Sequence, residues 1–323
     1  MNLKDRIISI FLFYDIILVG GNKMNFGIIE VGSTNTKAYI YDNGKLIDKG
    51  LKHIAFKDNY KISNCLSEND ITDLYDLIKK IKKDVNMVYI FGTSIFRKIP
   101  KLECDSFITR LKNDLGVDFK VVSADDEAYY TVRGVIGNID YDKKMGVVIG
   151  GGGSTEIAIT ENKKIIERLN LDFGAMDITD EFPELKEDYV KTDFNTILNY
   201  TMSLIANLNE KVDVLVLAGG DYIYFYQKAG YKMDNNFLYN DDNQPYLLDF
   251  ETLNNYDKDI LNKSLIELKK QNSDNANWWD GARGMRFCMN AVARKLKAKY
   301  IIPTRINMLL GLVEEIKNNM KQV

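Results

Sequence analysis

Two stretches of this chain follow the same alternation of apolar and polar positions. Phe26-Gly27-Ile28-Ile29-Glu30-Val31 is an apolar run that leads into Gly32-Ser33-Thr34, and Met145-Gly146-Val147-Val148-Ile149 leads through Gly150-Gly151-Gly152 into Gly153-Ser154-Thr155. Short apolar runs bounded by glycine predict buried strands. After each loop the pattern becomes extended again, at Lys37 to Tyr41 and at Glu156 to Thr160. It then breaks at Asp42-Asn43-Gly44-Lys45 or Glu161-Asn162-Lys163-Lys164, and a third apolar stretch follows. A strand, a Gly/Ser/Thr loop, a strand, a turn and a strand therefore occur twice, which predicts two related lobes. Paired loops of this kind suit a phosphate chain held in a central cleft.

The remaining periodicities fill in an α/β organisation. Ile71, Leu74, Leu77, Ile78 and Ile81 fall at helical spacing between charges, so Glu68 to Lys83 reads as an amphipathic helix. Asn86 to Phe91 reads as a strand ending in Gly92-Thr93-Ser94, Ser106 to Leu115 as a helix closed by Gly116, and Phe119 to Val122 as a strand. Ser123-Ala124-Asp125-Asp126 has the composition of a helix start. In the second half the meander ends near Asn170, Asp188 to Leu208 reads as one or two helices, and Val212 to Leu217 as a strand before Ala218-Gly219-Gly220. Asp234 to Asn277 is polar and predicts loops and short helices, before helices from Trp278 to Lys297 and Asn307 to Met320. No low-complexity linker parts the lobes. The expected division is 24–142 and 143–305, with 306–323 packing back on the first lobe.

Composition narrows the chemistry. The chain has 323 residues, 46% of them hydrophobic, with a net charge of −3, so it is long enough for two domains. A net acidic balance argues against a nucleic-acid partner, which needs a clustered basic face. Cys65, Cys104 and Cys288 lack metal-ligand spacing and read as reduced thiols of a cytoplasmic protein. A single histidine, His53, excludes multi-histidine metal sites and argues against a Ser-His-Asp triad. Catalysis then falls to carboxylates, Lys or Arg, with a hard cation recruited if needed.

The first residues differ from the rest. Ile7 to Val19 is apolar but short and interrupted by Asp15, so no membrane span is expected. Gly20-Gly21-Asn22-Lys23-Met24 is encodable as a ribosome-binding sequence followed by a start codon. The expectation is that Met24 is the start and 1–23 a translated leader; the alternative is an additional N-terminal helix.

Glycines let successive backbone N–H groups converge on an anion, and Ser or Thr hydroxyls add donors. One Gly-Ser-Thr triplet is explained equally well as a turn. Four glycines after a buried strand exceed what a hairpin requires, so Gly151, Gly152, Gly153, Ser154 and Thr155 are the stronger phosphate candidates, with Gly32, Ser33 and Thr34 supported by duplication. Glu30 and Glu156 flank these loops, where a carboxylate holds Mg²⁺ or pairs with a lysine. Arg97 lies just beyond a strand end and suits phosphate oxygens or a surface ion pair. Glu127 reads locally as a first-turn acid favoured by the helix dipole.

Together these pieces resemble the exopolyphosphatase/guanosine pentaphosphate phosphohydrolase family, in its short two-domain form. The resemblance runs in order through Ile28-Ile29-Glu30-Val31-Gly32-Ser33, Gly92-Thr93-Ser94-Ile95-Phe96-Arg97, Ser123-Ala124-Asp125-Asp126-Glu127-Ala128, Gly151-Gly152-Gly153-Ser154-Thr155-Glu156, Leu171-Asp172-Phe173-Gly174-Ala175 and Leu217-Ala218-Gly219-Gly220. It implies duplicated ribonuclease-H-like, actin-like ATPase domains, each with a mixed five-stranded sheet flanked by helices. It implies Glu127 as general base toward a water attacking a terminal phosphoryl group, and Arg97 as a phosphate contact. Glu30 and Glu156 would hold Mg²⁺ or Mn²⁺, and Gly219 and Gly220 would form a nucleotide or cleft loop. The implied substrates are polyphosphate or guanosine penta- or tetraphosphate, and the implied assembly a homodimer.

Two positions depart from the family pattern. Glu30 stands where the family usually has Asp, and Ile149 stands where it has a metal-binding Asp, seven residues before Glu156. An apolar side chain cannot ligate a cation. A phosphohydrolase is therefore the leading expectation, a catalytically impaired sensor of polyphosphate or guanosine tetra/pentaphosphate the second, and a small-molecule kinase of the same superfamily the third.

Overall fold

The computed structural model describes residues 25–33, 35–42, 45–205, 210–220, 222, 223, 226, 234, 235 and 246–320. The expected leader 1–23 and the candidate Thr34 lie outside these described residues. Contacts divide the chain into two units after Glu127, whereas the sequence pattern put the boundary at 142/143.

In the first unit the meander forms as its alternation demands. Strands β1 (Asn25–Val31), β2 (Asn35–Asp42) and β3 (Lys45–His53) pair antiparallel. Strands β4 (Met87–Gly92) and β5 (Asp118–Val121) then add in parallel, giving the order β3-β2-β1-β4-β5. Helix α1 (Phe56–Ser63) buries Phe56 alone, which is why no apolar stripe announced it. Helix α2 (Glu68–Lys82) buries Ile71, Leu74, Ile78 and Ile81, the stripe its spacing predicted. Helix α3 (Lys101–Leu115) begins five residues before the expected Ser106, because its first turn carries an exposed Leu102 and no repeat. Its buried positions Cys104, Phe107 and Leu111 pack with Phe96 and Phe119 in one aromatic cluster. Gly116, in the left-handed conformation at φ 62°, stops it.

The division after Glu127 falls inside helix α4 (Ala124–Asn138). The second unit repeats the meander in β6 (Met145–Gly150), β7 (Thr155–Glu161) and β8 (Lys164–Leu171). Strands β9 (Val214–Ala218) and β12 (Tyr300–Pro303) extend it in parallel to the expected five. Two short antiparallel strands, β10 (Asp234–Asn235) and β11 (Tyr246–Asp249), widen the sheet to seven strands. Helices α5 (Ala175–Glu181), α6 (Phe194–Leu204), α7 (Phe250–Asn262), α8 (Leu265–Gln271) and α9 (Trp279–Lys295) complete the covering layers.

The polar segment expected to be loops and short helices thus contains a thirteen-residue helix, α7, and two short strands. Its signals were present in the sequence. The Asp249 side chain accepts from Thr252 N at 2.7 Å, and Ser264 and Glu267 form a capping box at the start of α8. A buried ion pair then fixes α7 against α9. Arg286 Nε donates to Asp257 Oδ1 at 2.5 Å while Asn290 Nδ2 donates to Asp257 Oδ2 at 2.8 Å. Complete burial pushes the Asp257 carboxyl up, against the pull of Arg286. Losing one partner would strand a buried charge, so the pair specifies this packing more than it stabilises it.

The final helix, α10 (Met308–Met320), is capped by Asn307, whose Oδ1 accepts from Leu309 N at 3.0 Å. It packs on the part of α4 that belongs to the second unit. Gly311 meets the Tyr130 carbonyl so closely that a Cβ there would lie 1.5 Å from that oxygen, and Gly134 faces the Gly311 backbone. Two glycines let these helices approach nearer than side chains permit.

Candidate functional site

In the first unit, three neighbouring strands deliver three chemical groups at the same end of the sheet. Val31 pairs with Gly92, and Gly92 pairs with Val121, so β1, β4 and β5 finish side by side. The carboxyl ends of parallel strands are where α/β sheets place ligands. Gly32 turns there: its N–H donates to Asn35 O at 2.9 Å, and a Cβ would lie 2.7 Å from that oxygen. Ser33 follows, its carbonyl accepting from Lys57 N at 2.9 Å.

Beyond β4 the chain makes a short 3-10 turn, Ser94–Arg97, which places Arg97 beside the next strand end. Beyond β5, the Ser123 hydroxyl oxygen accepts from Asp126 N at 3.1 Å and opens α4, as the sequence predicted. The turn and the helix start bring Arg97 and Glu127 together. Arg97 Nη1 donates to Val122 O at 2.8 Å and to Glu127 Oε2 at 2.9 Å. Both side chains stay about one-third exposed, at 27% and 32%. Among the described residues Arg97 Nε and Nη2 make no hydrogen bond. A guanidinium has five donors in a planar fork, so one edge holds the carboxylate and carbonyl while the other can grip a phosphate in bidentate fashion.

Glu30 lies on β1 between Lys37 of β2 and Phe91 of β4. Its Oε2 is buried without a hydrogen-bond partner among the described residues. A buried carboxylate oxygen in that condition is costly, and a hard cation would satisfy it. No three His, Cys, Asp or Glu side chains converge among the described residues. That donor set fits Mg²⁺, which binds through one or two carboxylates and completes its shell with water and substrate phosphate.

In the second unit the glycine loop is held open by its neighbours. Gly151 N donates to Ser154 O at 2.8 Å, closing the turn. The first turn of α5 then anchors it, with Ala175 N donating to Gly151 O at 3.1 Å and Met176 N to Gly152 O at 2.7 Å. This approach requires Gly174, where a Cβ would lie 2.4 Å from Gly151 O. With those carbonyls tied to α5, the exposed N–H groups of Gly152 and Gly153 donate to nothing among the described residues. Two such amides make an anion-binding concavity.

The other candidates here take different positions. Ser154 Oγ donates to Glu156 Oε1 at 2.8 Å, so the hydroxyl and the carboxylate are already engaged. Thr155 is fully buried, which leaves its side chain a core role. Ile149 sits opposite Glu156 in the β6–β7 ladder and beside Ala218 of β9. Its methyl packs against Gly219, where a Cβ would approach it to 2.8 Å, and Gly219 takes φ 85°. Gly219 N donates to Ile306 O at 2.7 Å, which ties this loop to the segment before α10.

One feature was not legible as a site. Gly150, Gly152 and Gly220 form one side of a cavity of about 250 Å³, whose other walls are Met176, Tyr222, Trp278, Ala282 and Met285. Burial pushes the Tyr222 hydroxyl well above its ordinary range. Trp278 and Met285 had no partner in the sequence pattern, since only folding brings α9 against the glycine loop. No described helix is long and apolar enough to cross a membrane.

Comparison with known proteins agrees with this architecture. The structure resembles that of the Aquifex aeolicus PPX-GPPA enzyme with a TM-score of 0.75, at 18% identity over 91% of this chain and 100% of the other. It resembles an exopolyphosphatase from Cytophaga hutchinsonii with a TM-score of 0.72, at 18% identity over 92% of this chain and 98% of the other. These likenesses establish two actin-like domains, each with a mixed sheet flanked by helices, as expected. A bifunctional 3-dehydroquinate synthase/phosphatase of Fusobacterium nucleatum is 27% identical over 173 residues, or 51% of this chain. The match spans only a quarter (25%) of that relative's length. The profile of the Ppx/GppA phosphatase family matches residues 44–267. Arg97, Glu127, the glycine loop and the Gly219 turn all lie within that match, and the chain belongs to the Ppx/GppA phosphatase family.

Proposed function

We propose that this chain is a phosphohydrolase that removes the terminal phosphate of inorganic polyphosphate or guanosine pentaphosphate. The observation that carries the reading is the Arg97–Glu127 pair, a carboxylate held 2.9 Å from a guanidinium that keeps a second edge for phosphate. Glu127 acts as general base, taking the proton of a water that attacks phosphorus in line with the leaving oxygen. Arg97 turns Nε and Nη2 to the phosphate oxygens, and Gly32 and Ser33 position the chain's end. In the second unit, the amides of Gly152 and Gly153 are the phosphate donors of the Gly151 to Thr155 loop. Glu30 in the first unit and Glu156 in the second are each a carboxylate candidate for Mg²⁺ or Mn²⁺, which would neutralise phosphate charge in the transition state.

The test is phosphate release from polyphosphate and guanosine pentaphosphate with Mg²⁺ or Mn²⁺, compared between wild type and Glu127→Gln. A folded protein that binds both substrates and releases no phosphate from either overturns the enzyme reading.

A second reading has its own observation. Ile149 occupies the position expected for a metal-binding Asp and is packed on Gly219. That arrangement favours a phosphate-binding sensor with impaired turnover. Tight binding together with a residual rate indifferent to Glu127→Gln would select it.

A further inference from the structure

The start of α1 sits at the loop that follows β1, although no sequence motif pointed to it. Lys57 N donates to Ser33 O at 2.9 Å. The residue before it, Phe56, is buried and meets Phe96 edge-on, with ring centroids 5.3 Å apart. Phe96 in turn directly precedes Arg97. One backbone bond and one ring contact thus tie Lys57 to both phosphate candidates of the first unit, the Gly32-Ser33 turn and the Arg97 guanidinium.

Lys57 is placed against the local electrostatics. It is the second residue of α1, where the helix dipole favours an anion and disfavours a cation. It is half-buried, and among the described residues its ammonium group makes no hydrogen bond or ion pair. The acid of that turn, Asp58, is exposed, and residues one position apart on a helix do not face each other. A half-buried cation at a helix start that is itself positive leaves a local excess of positive potential. An anion from outside the chain relieves it.

The strand order assigns that anion a place in the reaction. Across the sheet, β1 leads to Ser33 and Lys57, β4 to Arg97, and β5 to Glu127. Arg97 therefore stands between the lysine and the carboxylate, with neighbouring strands roughly 4.8 Å apart. In-line displacement needs this order, with the base on one side of the transferred group and the leaving group on the other.

We propose that Lys57 holds the leaving phosphate, the one next to the terminal phosphoryl group. The inference rests on the reading of Arg97 and Glu127 as the phosphoryl-transfer pair. The water oxygen bonds to the terminal phosphorus and its proton passes to Glu127. The bridging P–O bond breaks, and its electron pair stays on the oxygen of the leaving phosphate, beside the Lys57 ammonium.

Tripolyphosphate and orthophosphate separate the two positions, because orthophosphate has nothing to place on the leaving side. Calorimetry with Mg²⁺ on the full chain carrying Glu127→Gln keeps tripolyphosphate uncut. Adding Lys57→Gln is expected to weaken tripolyphosphate about ten- to a hundredfold, the worth of one charge-assisted hydrogen bond. Orthophosphate should stay within about twofold. Adding Arg97→Ala instead should weaken both ligands. With Glu127 intact, Lys57→Gln should also lower kcat on tripolyphosphate, since the leaving phosphate gains charge in the transition state. Lys57→Arg should recover most of both losses. Urea unfolding without phosphate gives the readout that a structural lysine would move. The Lys57→Gln midpoint should hold or rise, because an unpaired cation leaves a helix start.

An unchanged tripolyphosphate affinity, an equal loss for both ligands or a lower urea midpoint overturns the role of Lys57 and leaves the Arg97–Glu127 reading standing. If neither ligand binds, or Arg97→Ala weakens neither, that reading falls and the role of Lys57 with it.

Discussion

Arg97 Nη1 lies 2.9 Å from Glu127 Oε2, although thirty positions separate the two residues in the chain. The contact exists because β4 and β5 are adjacent parallel strands, Gly92 pairing with Val121, and each is followed at once by one member of the pair. The carboxylate and the guanidinium are thereby fixed by backbone pairing, not by long flexible loops.

Glu127→Gln removes a proton acceptor while keeping the shape of the side chain. Phosphate release should fall by about 10²–10⁴ in kcat, the usual worth of a general base. Substrate affinity, measured by calorimetry, should hardly move.

Arg97→Lys keeps the charge and loses the fork. A point charge cannot hold Glu127 Oε2 and Val122 O while gripping two phosphate oxygens. KM for the phosphate chain should rise about tenfold, and the lysine variant should be closer to alanine than to wild type in steady-state kinetics.

Gly311→Ala places a methyl where the Tyr130 carbonyl already sits, 1.5 Å away in the native packing. α4 and α10 must move apart, so the loss should be about 3 kcal/mol or more, at the upper end of overpacking penalties. Urea unfolding of the variant measures it, and Gly281→Ala, with open space at its Cβ, serves as the control that should not destabilise.

The thiols should separate by burial. Cys65 is exposed, whereas Cys104 and Cys288 are buried. Burial pushes the Cys288 thiol up to about 12 and the Cys104 thiol in the same direction. Alkylation at pH 8 should label one cysteine in the native protein and three after denaturation, counted by mass spectrometry.

Glu184 gives an acid-sensitive contribution to the second unit. Its Oε1 accepts from Thr192 N at 2.6 Å and Lys191 N at 3.1 Å, and the Thr192 amide foremost holds its pKa below the ordinary 4.5. A group with a depressed folded pKa stabilises fully above its unfolded pKa and loses that contribution as pH falls through the folded value. Glu184→Gln should therefore narrow the drop in urea midpoint between pH 6 and pH 3, and the two proteins should converge at the acid end.

Much of the architecture was written in the local pattern. The β1–β2–β3 and β6–β7–β8 meanders, the α2 stripe and the Ser123 cap depend on alternation, helical spacing and a cap residue, all interactions of near neighbours. The residues around Gly32, Arg97 and Gly151 were legible for the same reason, each sitting at the end of a recognisable strand, whereas Glu127 read locally as a first-turn acid and was singled out only by the family resemblance. Helices α1 and α7 were not, because α1 buries one residue and α7 mixes its apolar stripe with the buried polar pair Asn254 and Asp257.

Tertiary structure alone decided how those groups are used. It gave Ser154 to Glu156, buried Thr155, and left Glu30 Oε2 without a partner among the described residues. It also carried Trp278 and Met285 to the glycine loop from more than a hundred positions away, making an apolar wall beside a phosphate-type turn. Sequence periodicity records which face of an element is apolar. It does not record which distant element covers that face, since that is settled by packing of the whole core, and the chemistry of the cavity follows from it.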